Sequence, residues 1–117
     1  MAKPNSLRVA LRRFMELHYP GKCRGRNVYG IELILLDAEL YHAVRRIAYG
    51  RRKPQALDYV GRLELEARMV LHALENDAYD YFEQARELAQ MALSSIPLER
   101  DAAVRLVDAV IAVDSPP

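Results

Sequence analysis

Apolar side chains recur at three- and four-residue intervals along almost the whole chain, and no stretch alternates apolar with polar residues for long. That period is the turn of an α-helix, not the two-residue repeat of a strand. Tyr19-Pro20-Gly21, Gly50 with Pro54, and Ser95-Ile96-Pro97 cut the pattern into segments. The resulting expectation is an all-α, single-domain bundle of about five helices. At 117 residues, such a chain buries roughly 65% of its unfolded surface and needs no disulfide staples. A lone cysteine, Cys23, suits a reducing, cytoplasmic setting. The longest apolar run, Ala109–Val113, falls far short of the roughly 20 residues of a membrane helix. The opening residues, running straight into a helix with Arg8, Arg12 and Arg13, are not expected to form a signal-peptide core.

The first helix is expected to start after Asn5 or Ser6, with Leu7, Leu11, Phe14 and His18 on one stripe. A loop rich in Gly and basic residues follows over 20–28. The second helix, read from Tyr29 to Tyr49, carries two apolar stripes. Ile31, Leu35, Ala38 and Tyr41 form one, and Leu33, Leu36, Leu40, Val44 and Ile47 the other. A helix apolar over that much of its circumference belongs at the centre of a bundle. Gly50 supplies its stop.

Pro54 opens a third helix, with Val60, Leu63, Ala67, Val70 and Leu74 inward and Gly61 available for a close crossing. Asp58/Arg62 and Glu64/Arg68 read as outward i,i+4 pairs. A turn is placed near Asn76-Asp77, where the stripe changes phase. The fourth helix then turns Ala78, Tyr81, Phe82, Ala85, Leu88, Ala89 and Ala92 inward. A fifth, Pro97–Val113, buries Ala103, Leu106, Val107 and Val110 and leaves Val104 and Ile111 on a second strip suited to self-association. Residues 1–5 and 114–117 read as loose ends of a domain spanning 1–117.

Charge is distributed unevenly. Residues 1–53 hold twelve lysines and arginines against four acids, a net +8, and residues 54–117 hold five against twelve, a net −7. Such asymmetry between halves points to a macromolecular partner. Two basic patches stand out, Lys22-Cys-Arg24-Gly-Arg26 and the 45–53 stretch with Arg45, Arg46, Arg51, Arg52 and Lys53 around Tyr49. An antiparallel first helix adds Arg8 and Arg12 to the second patch, and roughly 30 Å of helix separates the two. Acids gather on the third-to-fourth hairpin, with Glu75, Asp80, Glu83 and Glu87 as the candidate binding face beside Glu64, Glu66 and Asp77.

No constellation of catalytic residues assembles from these motifs. Glu39-x-x-His42 has the spacing of a di-iron ligand pair. Its nearest counterpart, His72-x-x-Glu75, would lie roughly 15 Å away along a hairpin axis, so no metal or cofactor is expected. Cys23 has Lys22, Arg24 and His18 nearby to lower a thiol pKa, but neither an orienting acid nor oxyanion donors accompany it. Arg13-Phe-Met-Glu-Leu-His18 is similar in spacing to the Arg-x4-His pattern of the HEPN family of helical ribonucleases. Phe14 stands where that family carries a polar residue, so its activity is not carried over. There is no phosphate loop and no Cys-x-x-Cys.

These observations favour a small non-enzymatic adaptor or inhibitor that docks on another protein through a charged helical surface. The alternative is an accessory protein that binds nucleic acid non-specifically through 22–26 and 45–53. The expected partners are a protein, in some cases within a nucleic-acid-handling complex, nucleic acid itself, or a second copy in a homodimer, and not a membrane.

Overall fold

The aromatic and alanine-rich face of the fourth helical segment organises the molecule. The computed structural model describes residues 4–50 and 53–95. Its elements are α1 (Pro4–Met15), β1 (Asn27–Val28), β2 (Ile31–Glu32), α2 (Leu33–Ala48), α3 (Pro54–Leu71) and α4 (Asn76–Ser94), with a 3-10 turn at Gly21–Cys23. The chain is therefore mostly helical, with four helices among the described residues. Those expected over 97–113, with Val104 and Ile111, lie outside the described residues, as do Arg51 and Arg52. None of the described helices is long and apolar enough to cross a membrane.

Every residue expected inward on α4 is buried, Phe82, Ala85, Ala89 and Ala92 completely. Small side chains on that face let neighbouring helices approach closely, and α4 packs against α1, α2 and α3. α2 touches the same number of helices, so it shares the centre with α4 instead of holding it alone. Tyr81 anchors an aromatic cluster at the other end of the face. Its ring centroid lies 5.1 Å from Phe14 of α1, 5.4 Å from Tyr19 in the loop and 5.4 Å from Phe82. Tilted and edge-on pairs of this kind contribute about 0.5–1.5 kcal/mol each beyond area burial.

Local signals set most helix ends. Pro54 occupies the first turn of α3, and Gly50 leaves α2 at φ 101 with its N–H donating to the Ile47 carbonyl. α3 ends at Leu71, and Asn76, at φ 55, starts α4 in the left-handed region that asparagine tolerates. The turn therefore falls at 72–75, slightly before the expected site. α1 begins at Pro4 and ends at Met15, short of His18, which is exposed.

Four further expectations are corrected. The 20–28 loop runs into a short hairpin in which Asn27 pairs with Glu32 and Val28 with Ile31, so α2 starts at Leu33 and not at Tyr29. Tyr29 and Gly30 turn the hairpin at φ 54 and 80, the double left-handed geometry of a type I′ turn. On α2 the Leu33/Leu36/Leu40/Val44/Ile47 stripe is buried, together with Ala43 and Ala48. The other expected stripe is not: Leu35 is 52% exposed and Ala38 is exposed, and only Ile31 and Tyr41 at its ends are partly covered. Gly61 makes no close crossing, since a Cβ there would meet nothing within 4 Å.

The fourth correction concerns Glu64, which is buried at 5% exposure. Arg68 Nη2 donates to both of its carboxylate oxygens at 2.8 Å, and Gln90 Nε2 of α4 donates to Oε1 at 3.2 Å. Arg86 Nη1, also on α4, lies 3.9 Å away. One carboxylate thus ties α3 to α4. Asp58 and Arg62 form no ion pair within 4 Å; the Arg62 guanidinium instead lies over the Tyr59 ring at 4.9 Å.

Two stability measurements check this account. Tyr29 is 64% exposed in a conformation costing a non-glycine residue about 1 kcal/mol. Tyr29→Asn should therefore raise the thermal midpoint, by the equivalent of about 0.5–1 kcal/mol. Glu64→Gln should lower the unfolding free energy measured by urea titration by roughly 1–3 kcal/mol, since it leaves the largely buried Arg86 without a counter-charge. Arg68→Ala should lower it too, since the buried carboxylate loses its two 2.8 Å hydrogen bonds and keeps only Gln90 and the more distant Arg86.

Candidate functional site

α1 runs antiparallel to α2 and brings its first turns to the end of α2. Arg8 Nε donates to the Ala48 carbonyl at 2.8 Å, satisfying one of the acceptors that a helix leaves open in its last turn. The same guanidinium lies 4.6 Å from the Tyr49 ring centroid, and that of Arg45 lies 5.4 Å from it. Two cations are thus held against one aromatic ring that remains 56% exposed. Arg12 and Tyr41 join them on one side, His42 and Arg46 on the other, and Lys53 beyond Arg46. The expected gathering of Arg8 and Arg12 with the 45–53 patch is present.

The second basic patch stays apart. α2 has 16 residues, so about 24 Å of helix separates its ends, less than the expected 30 Å because the helix starts later. Arg24 is exposed. Arg26 is partly committed, since its Nη2 donates to the Ala73 carbonyl at 3.0 Å and ties the loop to the turn after α3.

On α4, Asp80 and Glu87 are exposed and Glu83 is partly buried, with Glu75 exposed just before the helix. None of these four has a lysine or arginine within 4 Å among the described residues, where both close ion pairs fall on Glu64. Glu87 and Arg13 face each other across an open recess of about 280 Å³ between α1 and α4, floored by Phe14 and Leu88. Glu64 leaves the acidic surface entirely.

Arg13 sits on α1 while His18 lies beyond its end, so the two do not share a helix face. No group of three or more His, Cys, Asp or Glu converges as metal ligands among the described residues. Cys23 is fully buried, and burial pushes its thiol up, with Arg26 acting weakly in the opposite sense. Tyr19 beside it is pushed up to about 12, first by burial and then by the neighbouring Cys23 and Asp37.

Asp37 is the polar contact that sequence reasoning missed. It accepts a 2.7 Å hydrogen bond from Tyr81 Oη, linking α2 to α4. Burial raises its pKa and the Tyr81 bond acts against that rise. The Tyr81 phenol is raised by burial first and by Asp37 second. Asp37 lies one residue from Leu36 on the helix, which placed it beside the core, but nothing in the sequence paired it with a tyrosine 44 positions away.

No family model matches the chain, and neither a curated protein nor a solved structure matches it.

The Asp37 contact has a pH consequence. With its folded pKa above the ordinary carboxylate value of about 3.9, the folded state holds the proton longer than the unfolded one. Its ionisation therefore costs stability as pH rises from about 4 through the raised folded value. Asp37→Asn, which still accepts the Tyr81 bond, should remove that loss and leave the thermal midpoint at pH 7 equal or higher. Thermal melts from pH 3 to 7 measure it.

Proposed function

We propose that this protein is a small non-enzymatic adaptor or inhibitor that docks on another protein through a charged helical surface. The carrying observation is that surface charge is left uncommitted: both close ion pairs among the described residues converge on the buried Glu64. The carboxylates of Asp80, Glu83 and Glu87 follow at three- and four-residue steps along α4, which sets them on one side of a rigid rod. A partner with a basic groove meets them without first breaking internal pairs. Charge complementarity of that kind raises the association rate and rejects like-charged competitors. The packed helices behind α4 hold the face in a fixed shape, which lowers the ordering cost of binding.

Affinity capture from the native host, with the bound protein identified, tests the reading. A partner recovered by the unaltered protein should be lost on Glu83→Lys with Glu87→Lys and retained on Lys22→Ala. Circular dichroism checks that the charge-reversed variant keeps its helices. Equal recovery by both variants would remove the acidic face from the interface.

A further inference from the structure

The basic end of the bundle is built differently from a solvated turn, and its charge exceeds what the helix beneath it needs. Five cations stand there among the described residues: Arg8, Arg12, Arg45, Arg46 and Lys53. The carboxyl end of a helix carries about half a negative charge. Neutralising α2 therefore accounts for a small part of the cluster, and Arg8 already satisfies one of its carbonyls.

The cations line three adjoining open recesses. Arg45 and Tyr49 belong to both the first and the second, and Arg46 to both the second and the third. Among the described residues no aspartate or glutamate lines any of them. Glu39 lies beside Tyr59, which lines the third recess, and helps burial to raise the phenol. The band is thus continuous, positive and shallow, with no enclosed pocket for one small anion.

We propose that this end binds the phosphodiester backbone of nucleic acid without reading its bases. Four of the five cations are arginines, whose planar forks fit phosphate oxygens in pairs. Two are pre-positioned, because Tyr49 holds the guanidiniums of Arg8 and Arg45 against its ring. A pre-held fork loses less side-chain entropy on meeting a phosphate than a free one. Tyr41, Tyr49 and Tyr59 are interleaved with the cations, the mixture that suits a strand of nucleotides better than a carboxylate-bearing protein. Among the described residues every helix is packed into the bundle and none stands clear to enter a groove, which favours contact with the backbone over the bases. The inference is independent of protein docking by α4, and failure of either leaves the other standing.

Fluorescence anisotropy with labelled 20-nucleotide mixed-sequence DNA, single-stranded and duplex, tests it between 50 and 200 mM NaCl. If four phosphates of a duplex are engaged, log K falls with log salt at a slope of about −3.6, and affinity drops about 150-fold over that range. Arg45→Ala with Arg46→Ala should flatten the slope by about 1.8. Arg12→Glu, on the exposed side of α1, should weaken binding without touching α2. Lys22→Ala with Arg24→Ala, at the opposite end, should change neither slope nor affinity by more than about twofold.

Absence of binding at 50 mM salt would overturn the proposal. So would loss of binding on the Lys22/Arg24 change with retention on the Arg45/Arg46 change. Polyglutamate competing as well as DNA at equal charge would also overturn it, in favour of an acidic protein surface. Scrambling the DNA sequence should leave the affinity unchanged, and a tenfold preference for one sequence would overturn the backbone-only reading.

Discussion

The meeting of three helices on one face of α4 is the constraint on which the rest of the structure depends. Ala85, Ala89 and Ala92 keep the buried side of α4 thin and let its neighbours approach closely, where Phe82 does not. Replacing small residues in such a face forces side chains off their preferred rotamers, at about 1–3 kcal/mol per site. The aromatic end of the same face takes up the volume left near the loop, through Tyr81, Phe82, Tyr19 and Phe14. Small residues at one end and rings at the other define how α1, α2 and α3 are arranged around α4.

That arrangement separates the charges. α1 lies along α2 with its first turns at the end of α2, so arginines from both helices meet there. The acids of α4 lie outside its packed face or at its border, with Asp80 exposed, Glu83 half-buried and Glu87 at the recess shared with α1. Among the described residues Glu64 is the one charged side chain that is buried, and it has Arg68 and Gln90 bonded to it and Arg86 nearby. A buried carboxylate without such partners would be expelled or protonated. Burying one charge with its own partners leaves the exposed ones free to act outward.

The helical elements and their core stripes were legible because a 3.6-residue period states directly which face of a helix is apolar. Val60, Leu63, Ala67 and Val70 on α3 follow it, and Leu74 is buried in the turn just after the helix. Glu64 was legible by position, four residues after Val60 and three before Ala67, but its charge argued for the outside. Arg86 and Gln90, which reverse that argument, lie more than 20 positions away. The gathering of Arg8 with the 45–53 stretch was accessible from one assumption, that α1 returns antiparallel along α2. The fate of Cys23 was not: neighbouring cations suggested a lowered thiol pKa, and burial under the loop raised it. The Tyr29-Gly30 hairpin was missed because strands of two residues are too short to show alternation.

The amino-acid sequence by itself determined that this chain is helical, where most helices stop, and that positive and negative charge occupy different halves. Those properties depend on residues within a turn or two of one another, on spacing, on proline and glycine, and on composition. The tertiary structure alone decided that Leu35 and Ala38 face outward while Glu64 faces inward. It also decided that Asp37 meets Tyr81, and that Arg8 and Arg45 close on one tyrosine ring. Each of these depends on which neighbour covers a given surface, and a pattern along one helix carries no information about the helix laid against it.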